Sequence, residues 1–171
     1  MMRLSQWYGR LLDWMLVIAC LLLLTMTLLI GADVLLRNIG YGGVPPSNEL
    51  SEYIIYLITL LAAPALLRRG QHIRVDIILR VLPAKVGWAL EWLSDIVGFI
   101  CCLYFVWFGA GVAVASFESG ALSIKTMILP EYWILLPMPV AFVLLSIEFL
   151  FRMQRLAQAE HRIRDDAVSA S

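Results

Sequence analysis

The chain has 171 residues, 61% apolar and only 15% charged, with 13 basic and 13 acidic side chains and a formal net charge of zero. Soluble domains average roughly 45–50% apolar and about 25% charged. That contrast, with a mean hydropathy of +0.84, excludes a disordered chain, a disulfide scaffold and an ordinary soluble domain. The lack of a basic excess gives nucleic acid no electrostatic footprint.

A membrane span needs about 20 mostly apolar residues to cross roughly 30 Å of hydrocarbon. Residues 14–32 carry no charge between Asp13 and Asp33. Arg3 and Arg10 ahead of them resemble the charged start of a signal peptide. The run, however, exceeds the usual apolar region of about 7–15 residues, and Gly31-Ala32-Asp33-Val34 is a poor cleavage site. A retained first span is expected. Residues 53–67, 96–117 and 132–147 are three further uncharged runs. The sequence thus predicts an all-α integral membrane protein with four transmembrane helices. A single membrane domain over 1–171 is expected, with spans at about 12–34, 50–67, 95–117 and 132–151.

The second span opens with Ser47-Asn48-Glu49-Leu50-Ser51-Glu52-Tyr53. Ser47 or Asn48 can cap the helix by accepting an orphan backbone N–H. Glu49 and Glu52 then sit in the first turn, where the helix dipole favours negative charge. The same two carboxylates, three apart on one face, could instead meet a partner protein.

The loop at 68–94 starts Arg68-Arg69-Gly70-Gln71-His72-Ile73-Arg74-Val75-Asp76. Pro83 can begin a helix, since its missing N–H is not needed there. Leu82, Val86, Ala89, Leu90 and Leu93 then recur at helical spacing, and Trp88 and Trp92 lie four apart on one side. An apolar stripe with basic residues and paired tryptophans predicts an amphipathic arm helix in the membrane interface, between the second and third spans. The competing reading is a third span that begins early and tilted. Arg68, Arg69, His72 and Arg74 could attract anionic headgroups. One of them, Arg74 beside Asp76 above all, could instead form a bidentate carboxylate pair that lysine imitates poorly. Plain positive-inside charge is the third reading.

In the third span Gly98, Cys102, Gly109, Ala113 and Ser116 fall within a narrow arc, with Phe105 among them. Small residues allow close helix packing in lipid. In the fourth span Pro137 and Pro139 predict a structural kink. Cys20, Cys101 and Cys102 read as small apolar packing residues.

Lys and Arg set the expected orientation. Eleven of the 13 lie in the N-terminal tail, the middle loop and the tail at 152–171; Arg37 and Lys125 lie in the other two loops. Both termini and the 68–94 loop are therefore expected in the cytoplasm. No ionisable residue lies near the middle of a span, where proton relays and ion sites place such groups. His72 and His161, the only histidines, are outside the spans, so no haem ligand pair is available. No catalytic, metal or cofactor constellation is present. Thr25, Thr27, Thr59 and Ser116 are too few to line the pore of a self-contained homo-oligomeric transporter or channel, the principal alternative. The expected role is that of an accessory subunit.

The segment from Glu49, Glu52 and Tyr53, through an apolar span, to the 68–76 run resembles the DctQ-like small membrane subunit of tripartite ATP-independent periplasmic (TRAP) transporters. Pro130, Trp133 and Pro137 fit the same pattern, as do the length and four spans; Pro64 departs from the small residue often found in mid-span. The resemblance implies a bacterial inner-membrane subunit required for sodium-driven uptake of an organic acid or similar solute. Its partners would be a large membrane subunit, a periplasmic substrate-binding protein and membrane lipids. Glu49, Glu52, Arg68, Arg69, His72, Arg74, Asp76, Trp88 and Trp92 are the candidate subunit or lipid contacts.

Overall fold

A computed structural model describes residues 2–40, 42–69 and 84–158. His72, Arg74, Asp76 and the 70–83 part of the expected arm lie outside these residues. The elements are α1 (Met2–Asn38), α2 (Ser47–Arg68), α3 (Ala84–Ser119), the strands β1 (Leu122–Ile124) and β2 (Ile128–Pro130), α4 (Glu131–Leu135) and α5 (Pro137–Gln158). Among the described residues, four helical stretches are long and apolar enough to cross a membrane: Trp7–Asn38, Ser47–Arg68, Val86–Ser119 and Glu131–Ala157.

The helices are longer than the apolar runs alone suggest. At 1.5 Å per residue, the 37 residues of α1 and the 36 of α3 each reach about 55 Å, well beyond a hydrocarbon core of about 30 Å. Residues 84–94, assigned from sequence to the arm, run without interruption into the third span. Their apolar positions Val86, Leu90 and Leu93 are exposed, whereas Glu91 and Asp95 are buried.

Proline placement follows the missing N–H. Pro137 and Pro139 occupy the first turn of α5, where backbone donors have no helical partner to lose. The predicted kink is thus a short break between α4 and α5, bridged by the Leu136 N–H to the Tyr132 carbonyl at 3.0 Å. Pro64 stays inside α2, its ring fully buried. The start of α2 differs from expectation. Pro46 takes the cap position, and neither Ser47 nor Asn48 supplies a side-chain cap. The chain enters this helix through a tight turn, with the Ser47 N–H on the Val44 carbonyl, so Ser47 and Asn48 stand inside the first helical turn and not at its cap.

Packing runs α1 on α2, α2 on α5 and α5 on α3. Leu67 of α2, Cys102 of α3 and Leu145 of α5 form a buried cluster, joined by Ala63, Phe142 and Phe149. The small-residue arc of α3 faces α5. Cys102, Ala113 and Ser116 are buried, and Phe105 stacks on Phe142 with ring centroids 4.7 Å apart. A β-carbon at Gly98 would stand 2.5 Å from the Phe149 ring, so only glycine admits that ring. Gly98→Leu should therefore destabilise the fold by about 1–3 kcal/mol through overpacking. Unfolding of the detergent-solubilised protein in SDS titrations would measure it, and Phe149→Ala in the same chain should recover part of the loss.

Candidate functional site

The polar chemistry divides between the two ends of the bundle. At one end the start of α1, the last turn of α2, the start of α3 and the last turns of α5 converge. Glu148 has no exposed surface there. It pairs with Arg155 and, at 3.5 Å, with Arg68 of α2. Arg152 pairs with Asp95 of α3 at 2.8 Å, both nearly fully buried. Arg69 reaches Asp13 of α1 at 2.8 Å on the surface. Aromatic side chains cover these charges. The Tyr8 hydroxyl donates to the Leu144 carbonyl at 2.7 Å, with Arg68 over the Tyr8 ring and Arg152 over Phe149. Trp88 and Trp92 meet edge to face, centroids 6.0 Å apart. The Trp88 indole N–H makes a long bond to the Leu156 carbonyl at 3.5 Å.

At the opposite end, carboxylates fasten the connections. Asp33, buried, accepts the Val44 N–H and holds Arg37 one turn away at 3.1 Å. A β-carbon at Gly43 would stand 2.7 Å from the Asp33 carboxylate, so glycine is needed for this loop to close. Glu49 is buried. It accepts the Tyr53 hydroxyl and the Met127 N–H, each at 2.9 Å. Lys125 bonds Glu52 at 2.9 Å, which raises the lysine pKa above its ordinary value. Both glutamates thus tie α2 to the β1–β2 hairpin. Its register is Leu122↔Pro130, Ser123↔Leu129 and Ile124↔Ile128. The hairpin starts from a glycine-terminated helix end. Gly120, with φ +62°, donates to the Phe117 carbonyl and Ala121 donates to that of Ser116, a Schellman closure.

Of the sequence candidates, Glu49 and Glu52 come together at the hairpin end, and Arg68, Arg69, Trp88 and Trp92 at the arginine end. The carboxylates that Arg68 and Arg69 meet are Glu148 and Asp13. Sequence reasoning left out Glu148, Asp95, Arg152 and Arg155. Their signal was an acid inside an apolar run with arginines four and seven residues later, although the i,i+4 rule would have joined Glu148 to Arg152 rather than to Arg155. The middle of the bundle is apolar. The cavity beside the α4–α5 break, about 100 Å³, is lined wholly by apolar side chains such as Met15, Leu57, Pro137 and Leu144. The hydroxyls of Thr25, Thr27 and Thr59 turn back onto their own helix carbonyls four residues earlier, and Ser116 donates to Glu131.

These features define a multi-pass helical membrane protein whose described ionic contacts are drawn to its two ends. Residues 26–159 match the family model of the tripartite ATP-independent periplasmic transporters, DctQ component. The chain belongs to that family, the small permease component of TRAP transporters, which is a transporter permease family and not an enzyme family. Two similar proteins come from Haemophilus influenzae. The sialic acid TRAP transporter permease protein SiaT is 22% identical over 120 residues, covering 70% of this chain and 19% of SiaT. A protein named as a TRAP transporter small permease protein is 28% identical over 86 residues, covering 50% of this chain and 53% of that relative. The matched stretch thus spans about half the length of one relative and about a fifth of the other.

Removing one member of a buried ion pair strands the other, at about 3–5 kcal/mol, whereas replacing both by apolar residues is often neutral. Asp95→Ala should lose stability in that range, and Asp95→Leu combined with Arg152→Met should regain most of it, both read in the same SDS titration.

Proposed function

We propose that this chain is the small accessory permease subunit of a TRAP-type secondary transporter. It pairs with a large membrane subunit for sodium-driven uptake of an organic acid or similar solute, delivered by a periplasmic binding protein. The observation that carries the accessory reading is the apolar middle of the bundle. Thr25, Thr27 and Thr59 spend their hydroxyls on their own helices, and the ion pairs lie at the ends, so the chain braces a transport path without forming one. That also weighs against a self-contained homo-oligomeric channel. SiaT, in which the matching stretch is a fifth of a permease chain, supports work beside a larger permease unit. A sialic acid transporter among the relatives fits an acidic solute.

The proposed setting is the bacterial inner membrane, one membrane domain, with both termini and the arginine end in the cytoplasm. The positive-inside bias supports it. We assign the 68–94 segment, whose part from Ala84 onward is the start of α3, to that interface, supported by Trp88 and Trp92, with His72, Arg74 and Asp76 as contacts for the partner or for lipid. The engaged Glu49 and Glu52 act by shaping the hairpin end that faces the periplasm.

Two measurements test this reading. The tagged chain, extracted in mild detergent, should co-purify with a large many-span permease in fixed ratio, and alone in liposomes it should move no solute under a sodium gradient; uptake by the isolated chain would sink the accessory role. For orientation, Thr126→Cys should react with an impermeant thiol reagent from the periplasm and Gln154→Cys should not. Labelling of Gln154→Cys in intact cells would invert the topology.

A further inference from the structure

At the arginine end a cavity of about 390 Å³ lies between the early turns of α1 and the last turn of α2. Its walls are Gly9 and Asp13 of α1, Arg68 and Arg69 at the end of α2, and Arg155 of α5. Leu12 and Ala65 form the apolar floor. The volume falls within the roughly 300–1,000 Å³ common to small-ligand sites.

Among the described residues, three arginines and one aspartate line these walls; Asp13 pairs with Arg69, and Glu148, which does not line the cavity, pairs with Arg68 and Arg155. Arg69 and Arg155 each carry five N–H donors in a rigid fork, more than their single contacts with Asp13 and Glu148 use. Arginine forks fit phosphate bidentately. A β-carbon at Gly9 would stand 3.1 Å from the Arg68 guanidinium, so a larger residue there would nudge that side chain.

A second groove, about 290 Å³, shares Asp13 and is otherwise lined by Arg10, Trp14 and Val17. Trp14 and Val17 are 69% and 50% exposed. From Arg10 to Val17 the groove follows α1 for about 10 Å into the uncharged run. A cationic cavity at the membrane boundary that shares Asp13 with an apolar groove along the span has the form of a headgroup site with room for an acyl chain.

We propose that this cavity binds the phosphate of an anionic phospholipid, with Arg69 and Arg155 reaching the headgroup and an acyl chain lying along Trp14 and Val17. The site depends on membrane insertion alone, and not on the transporter role or on orientation, because both leaflets present headgroups. A soluble phosphate offers the same oxygens, and the groove is what favours the lipid.

Native mass spectrometry of the full chain in detergent tests the site, with phosphatidylglycerol, phosphatidylcholine and inorganic phosphate added separately. Phosphatidylglycerol should be retained most strongly. Arg69→Gln should weaken its retention about fivefold, the worth of one surface cation. Asp13→Asn, which removes a competing anion, should strengthen it by a similar factor. Both variants break the same exposed ion pair and leave the buried charges alone, so a merely structural effect moves them in one direction. Shifts of the same sign, no shift, or equal retention of phosphatidylcholine would overturn the proposal. Phosphate binding with no preference for phosphatidylglycerol would assign the cavity to a soluble anion and overturn the lipid.

Discussion

Glu148 is a carboxylate with no exposed surface on a membrane-length helix, and the other helices are arranged around its needs. An ion in that setting costs several kcal/mol unless it is paired. Arg155 pairs with it from the same helix, and Arg68 does so from α2. The adjoining Arg152–Asp95 pair fastens α3, while Arg69–Asp13 and the Tyr8–Leu144 bond bring in α1. Apolar side chains in lipid gain little by choosing a helix over a lipid tail. The directional contacts at this end therefore fix which helix stands where, and close packing such as Gly98 on Phe149 fills in between.

The other end works with a different currency of contacts. There, Asp33 and Glu49 accept backbone N–H groups from loops instead of pairing helix to helix. Backbone donors in a connection near the membrane need partners, and buried carboxylates supply them. One end thus sets the arrangement of the helices, and the other sets the shape of the surface that the connections present. The exposed Leu122, Ile124 and Ile128 are displayed on a hairpin that Glu49 and Glu52 hold to α2.

The four spans were legible because the hydrophobic requirement of a bilayer is written in contiguous residues, and so was the packing arc of α3, which needs only helical periodicity. The proline break was legible in kind, though its form, a new helix starting at Pro137, depends on where the preceding turn stops. The partners of Arg68 and Arg69 were not. Glu148 is 80 residues from Arg68 and Asp13 is 56 from Arg69, and no local rule reaches that far. Capping of α2 by Ser47 or Asn48 failed because the helix starts one residue earlier, with Pro46 at the cap and both residues already inside the first turn. The β1–β2 hairpin escaped notice because strands of three residues are too short for alternation to declare itself. For Glu49 and Glu52, the choice between helix dipole and partner contact left out the neighbour that matters, the hairpin 78 and 73 residues downstream of them.

The unbroken length of α3 has a consequence for how this chain can change. Its far end is closed by Gly120 against the Phe117 carbonyl, and its near end places Asp95 against Arg152. Each helical residue advances the azimuth by about 100°. Adding or removing a single residue between these two points would turn one end by that angle, carrying Asp95 away from its arginine or the hairpin away from Glu49. The helix is phase-locked at both ends. Its side chains can drift, but its residue count between Asp95 and Gly120 behaves as a fixed gauge.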